Sequence, residues 1–199
     1  MQHCVTHQTV ISEAELDLLR DLKGLTLDSV WSDGWSATLS VSGRLLFVVP
    51  EEVPTPSTSH PYADVDRPKF LPSDAANLSG ANSPVGTQFG TISRITLFRA
   101  VVTFSPIASA PPTEILGITI PAGNEFGLYF LDSPNDAVAL DSQAPLVAAD
   151  LAVEIATTAG RAVTFFTRGV GHFVEVALDA RLPSELDDHL RRWPLLALP

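Results

Sequence analysis

The stretch LTLDSVWSDGWSATLSVSGRLLFVV, residues 25–49, decides the fold. Its hydrophobic period is two: Leu25, Leu27, Ser29 and Trp31 alternate with Thr26, Asp28 and Val30, the pattern of a half-buried strand. Asp33-Gly34 between Trp31 and Trp35 is a hairpin turn signal, because both residue types tolerate the positive φ such turns demand. ATLSV (37–41), a Ser42-Gly43 turn and RLLFVV (44–49) complete a three-stranded antiparallel meander.

On the N-terminal side the pattern is helical. Ser12 followed three residues later by Glu15 forms a capping box. Leu16, Leu18, Leu19 and Leu22 give a narrow apolar stripe, and Gly24 ends it. The predicted helix is short and lies on the body of the domain.

On the C-terminal side, residues 50–88 contain Pro50, Pro54, Pro56, Pro61, Pro68, Pro72 and Pro84 among Ser, Thr, Asn and Gly. No clear period runs through them, so they read as one long loop. Val53, Tyr62, Val65, Phe70, Leu71 and Leu78 argue that it docks on the domain. TISRITLFRAVVTF (91–104) is apolar on both faces, as in a central strand. Further strands are expected at 114–120, 126–132, 137–140, 150–158, 161–167 and 172–179, with a hairpin across Ala159-Gly160. Pro183 opens a C-terminal helix through about Arg192. A meander over 114–140 matches the pattern of 25–49 and suggests a pseudo-repeat.

About nine strands with hairpin-length links, and no alternation with long helices, define a mainly β fold, with α+β as the alternative. The expected form is an antiparallel β-sandwich or a strongly bent, partly closed sheet, with short N- and C-terminal helices. Residues 1–199 are read as a single domain.

The net charge of −11 disfavours nucleic acid, whose phosphates need clustered Lys and Arg. No segment has the length of a membrane helix or a signal-peptide core, so no membrane partner is expected. The lone Cys4 cannot form an internal disulfide and permits a reducing cytoplasm. Only Lys23 and Lys69 are lysine among the twelve Lys and Arg residues, the mark of a GC-rich bacterial coding sequence.

The P-loop, the G-x-S-x-G elbow, H-E-x-x-H and C-x-x-C motifs are all absent, and GTQFG (86–90) lacks the Rossmann spacing. His3-Cys4-x-x-His7 offers soft metal donors but no second ligand pair. HPYADVDRPKF (60–70) is the stretch most like a site. His60, Asp64 and Asp66 can hold a divalent cation, with Glu51 and Glu52 completing the sphere and Arg67 or Lys69 clamping an anion. The simpler reading is a structural loop, with Pro61 and Pro68 restricting the backbone, its aspartates bonded to their own backbone and Arg67 paired with Asp64 or Asp66 at the surface. Between the two stands a recognition loop, where Tyr62, Arg67 and Phe70 are of the types enriched at interface hot spots. His172, after Gly169-Val170-Gly171, is a general-base candidate without a nucleophile beside it in sequence, and reads better as a hairpin residue. Arg94 and Arg99 sit in a central strand and need partners, with Glu114, Glu125, Glu154 and Glu175 within reach. Otherwise the two arginines line an anion pocket.

The function expected from this reading is a non-enzymatic, acidic protein-interaction module in the cytoplasm, without catalytic residues, metal or cofactor. Its partner is a protein, basic by charge complementarity, or a second copy of the chain. Small acidic proteins that neutralise basic toxins share this charge and size, an analogy only. Binding is assigned to His60, Tyr62, Asp64, Asp66, Arg67, Arg94 and Arg99. The alternative is a small-ligand or divalent-metal-binding protein, or a hydrolase, with its site in 50–88.

Overall fold

In the computed structural model the described residues are 7–54, 64–73, 83–106, 113–115, 118–120, 126–131, 146–167, 172–179 and 191–192. In chain order the elements are β1 (His7–Thr9), α1 (Glu13–Arg20), β2 (Thr26–Ser32), β3 (Ala37–Val41), β4 (Arg44–Pro54), β5 (Asp64–Ser73) and β6 (Ser83–Pro106). Then follow β7 (Thr113–Ile115), β8 (Ile118–Ile120), β9 (Phe126–Leu131), β10 (Leu146–Thr157), β11 (Ala162–Phe166), β12 (Glu175–Leu178) and β13 (Arg191–Arg192).

The main path of the sheet is β12-β11-β10-β6-β2-β3-β4-β5, antiparallel throughout. β9 and β13 also pair with β6, and β1 runs parallel to β10. The expected meander over residues 25–49 is β2-β3-β4.

The sheet curls. β6 pairs with β2 through its first part and with β10 and β9 through the rest. Toward the end of the β2-paired part, at a register shift, the backbone turns through positive φ at Gln88 and Gly90. Glycine is required at position 90: φ is +100°, and an added Cβ would stand 3.3 Å from that of Ala159. The curl lays the last strand of the path, β5, against β10 and β11 without closing a barrel. The principal core lies inside it and includes Leu27, Leu39, Phe70, Phe89, Ile155 and Phe165. A second cluster joins Val65 of β5 to Phe98, Leu151 and Phe166.

Helix α1 has the expected capping box and buries Leu19. No helix among the described residues is long and apolar enough to cross a membrane.

Three expectations change. The stretch 50–88 is not one loop, because β4 runs on to Pro54, β5 occupies 64–73 and β6 begins at Ser83. Prolines hid these strands. β5 ends the sheet path, where missing N–H donors are tolerated, and Pro50 stands opposite Pro68, so two of the losses fall on one rung. Within the expected second meander, β7 and β8 form a separate two-stranded sheet and β9 pairs with β6, while the expected strand at 137–140 lies outside the described residues. At the C-terminus, residues 181–190 lie outside the described residues, and Arg191-Arg192 is extended against Arg99 and Phe98, so a helix does not reach Arg192.

Candidate functional site

The β4–β5 register puts Glu51 opposite Arg67 and Glu52 opposite Asp66. Alternation along each strand sends these two rungs to opposite faces, and the faces do different work.

On the first face, Arg67 is nearly fully buried. Its Nη1 donates to Glu15 Oε1 at 3.0 Å and its Nη2 to Glu15 Oε2 at 2.8 Å, the parallel fork of a strong guanidinium–carboxylate pair. Nη2 also meets Glu51, which in turn pairs with Lys69. Glu15 further accepts from Phe70 N at 3.2 Å and from Ser12 Oγ at 2.7 Å. One carboxylate therefore caps α1 and anchors β5 beneath it. Arg67 and Lys69 are engaged inside this network rather than aimed at an anionic ligand.

Burial works to raise the pKa of Glu15, but its bonds to Arg67 and Ser12 outweigh that and hold it below the usual value near 4.5. Burial likewise works against the charge of Arg67, and Glu15 and Glu51 more than offset it. A depressed carboxyl pKa in the folded state means the unfolded chain takes up the proton first as pH falls. The stability Glu15 contributes is complete above its unfolded value and is lost as pH drops through its folded value. Melting temperatures measured from pH 6 downward are expected to fall more steeply for the wild type than for Glu15→Gln once the pH passes below about 4.5.

On the second face, Asp66 is buried, its side chain only 2% exposed. His172, left-handed at φ 57°, donates its backbone N–H to Asp66 Oδ2 at 2.7 Å. His172 Nδ1 lies 3.3 Å from Asp66 Oδ1 and 2.7 Å from Glu52 Oε1. Thr167 Oγ1 donates to the Asp66 carbonyl at 2.6 Å, tying the end of β11 to β5. Glu52, Asp66 and His172 thus converge from β4, β5 and the β11–β12 connection, and their donor atoms all lie within 4.8 Å of one another.

The β2–β3 turn borders this cluster. Ala37 opposes Val48, so Pro50–Glu52 run on past the turn. Val174 N, two residues from His172, donates to Trp35 O at 3.0 Å. Asp33 Oδ1 accepts from Trp35 N at 2.8 Å and from Ser36 N at 2.6 Å, bonds that hold its pKa down against the opposing effect of burial. Trp35 is 64% exposed.

Arg94 and Arg99 are both held by β10. Arg99 faces Asp150 in register and binds it through Nε at 2.7 Å and Nη2 at 2.9 Å. Asp150 is buried and also accepts from Ile11 N. Arg94 pairs with Glu154 at 3.0 Å near the surface. Each arginine is held by its own carboxylate of β10, Arg94 by Glu154 and Arg99 by Asp150, rather than the two meeting around one anion.

Of the other residues singled out in the sequence, His60 and Tyr62 lie outside the described residues, and Asp64 is placed only as backbone opposite Pro54. Glu52 and Asp66 are joined by His172, 106 residues beyond Asp66. Sequence reasoning missed the convergence of His172 on Asp66 and the role of Asp150. It also saw Glu15 only as a cap. The available signal was its position: Glu15 stands four residues before Leu19 and seven before Leu22, on the same buried stripe, and a carboxylate on the buried side of a helix needs a partner.

No protein-family model, curated protein or solved structure matches this chain.

Proposed function

We propose that this protein is a non-enzymatic, acidic interaction module that binds a basic protein partner, with the cytoplasm as its compartment. The observation that carries this reading is Trp35. A large aromatic side chain is presented to solvent on a turn made rigid by Asp33 and by the bond from Val174. A rigid tryptophan loses little conformational entropy on binding, and tryptophan is enriched at interface hot spots.

Charge supports a basic partner. Arg20, Arg67, Lys69, Arg94, Arg99 and Arg161 are each paired with a carboxylate of the same chain. With these six of the twelve Lys and Arg residues so engaged, the net charge of −11 favours and steers a positively charged partner. Neutralisation of a basic toxin is one activity of this kind, by analogy of charge and size.

The test compares proteins retained from the native cells by the wild type and by Trp35→Ala, then measures association of the recovered protein in purified form. The expected result is a basic protein whose affinity falls at least about thirtyfold in the variant. Its association rate should fall steeply between low and high salt. A partner indifferent to Trp35 and to salt would overturn the reading, as would a native mass made only of copies of this chain.

A further inference from the structure

The geometry points to a divalent-cation site formed by Glu52, Asp66 and His172, of the nitrogen-and-oxygen type that zinc occupies. The inference is independent of the partner proposed above.

Three observations carry it. The first is charge. Glu52 and Asp66 stand directly opposite each other on antiparallel strands, a destabilising like-charge placement bridged in the described structure by the single imidazole of His172. Asp66 is buried as well, and a buried carboxylate requires compensation. Among the described residues no Lys or Arg pairs with either group. Arg67 and Lys69, the nearest in sequence, belong to the other face with Glu15 and Glu51.

The second is distance. Ligand atoms bound to one tetrahedral zinc at about 2.0–2.2 Å are about 3.4 Å apart. His172 Nδ1 is 2.7 Å from Glu52 Oε1 and 3.3 Å from Asp66 Oδ1, and all three donors lie within 4.8 Å, so Asp66 and His172 already stand at the spacing of a shared ion while Glu52 and His172 must part slightly. One imidazole and two carboxylates suit zinc and its first-row neighbours, with no thiolate to favour copper(I).

The third is preorganisation. Asp66 is fixed through its carbonyl by Thr167 and through its carboxylate by His172 N–H. Glu52 and His172 are more than half exposed, so the ion has an entry path and a coordination position open to water or a ligand. The buried ligand is rigid, and the two outer ones close on the ion from solvent.

Zinc chloride added to the chelator-stripped full-length chain is the test, with stoichiometry read by calorimetry and stability by melting temperature. The expected result is one zinc per chain and a rise of about 5–10 °C at a hundredfold excess over Kd. Asp66→Asn should abolish both. Glu52→Gln, an exposed change that leaves the buried packing intact, should weaken binding at least tenfold and keeps the test decisive if the Asp66 variant folds poorly. Cys4→Ser must leave the site unchanged. Absence of a stoichiometric zinc in the wild type would overturn the site. So would binding that survives Glu52→Gln but is lost with Cys4→Ser, which would mark adventitious capture by His3, Cys4 and His7. Loss of zinc binding says nothing against Trp35 as a contact, and the Trp35→Ala result says nothing against the ion.

Discussion

Arg67→Ala is expected to destabilise the protein by about 3–5 kcal/mol, the usual consequence of removing one partner from a buried ion pair. The guanidinium is shared by Glu15 and Glu51. Removing it leaves the Glu15 carboxylate, itself almost fully buried, facing a void without a counter-ion. The loss extends beyond β5, because Glu15 also closes the N-terminal cap of α1 and accepts from Phe70 N. Arg67→Lys retains the charge but not the planar fork that meets both oxygens of Glu15, so an intermediate loss is expected. Denaturant unfolding monitored by tryptophan fluorescence measures both variants. A change below about 1 kcal/mol for Arg67→Ala, the range of exposed pairs, would show that the network is not buried in solution. Arg94→Ala is the internal reference, since its pair with Glu154 is largely exposed and belongs to that weaker class.

Phe70→Ala is expected to cost about 3–5 kcal/mol, from the apolar surface lost and the cavity left behind. Phe70 is one of the largest fully buried side chains, and its ring meets that of Phe165 edge-on, with centroids 6.0 Å apart. That contact joins β5 to β11 across the inside of the curl, so the substitution loosens the packing that holds the end strand down. A double-mutant cycle with Phe165→Ala is expected to give a coupling of about 0.5–1.5 kcal/mol for the ring pair. Leu71 is the control. It is the next residue, faces outward and is 37% exposed, so Leu71→Ala should fall near or below about 1 kcal/mol. Equal losses at the two positions would contradict the alternation of β5. Unfolding curves of the three single variants decide it.

Both predictions concern β5, the segment that the sequence presented as a loop. Its prolines concealed it: Pro68 and Pro72 break the hydrogen-bonding capacity that marks an interior strand, but not that of an end strand. The alternation was nevertheless present, with Phe70 facing inward and Leu71 outward. The candidate site was legible in part for the same reason. Glu52 and Asp66 were recognised as carboxylates able to share a cation, but their facing positions follow from the β4–β5 register, which no local pattern revealed.

By itself the sequence determined the secondary structure of the N-terminal third and part of the central strand. The period of two and the Asp33-Gly34 and Ser42-Gly43 turns produced β2-β3-β4, the Ser12–Glu15 capping box opened α1, and the doubly apolar run at 91–104 became part of the central strand β6. These signals are short-range, set by steric and hydrogen-bonding preferences of neighbouring residues. Only the tertiary structure decided what the charged residues do. Arg67 was placed on Glu15, Arg99 on Asp150, and His172 between Glu52 and Asp66. A charge is compensated by whatever group lies nearest in space, and here the curl of the sheet, driven by burial of its inner face, chooses that group from residues tens of positions away.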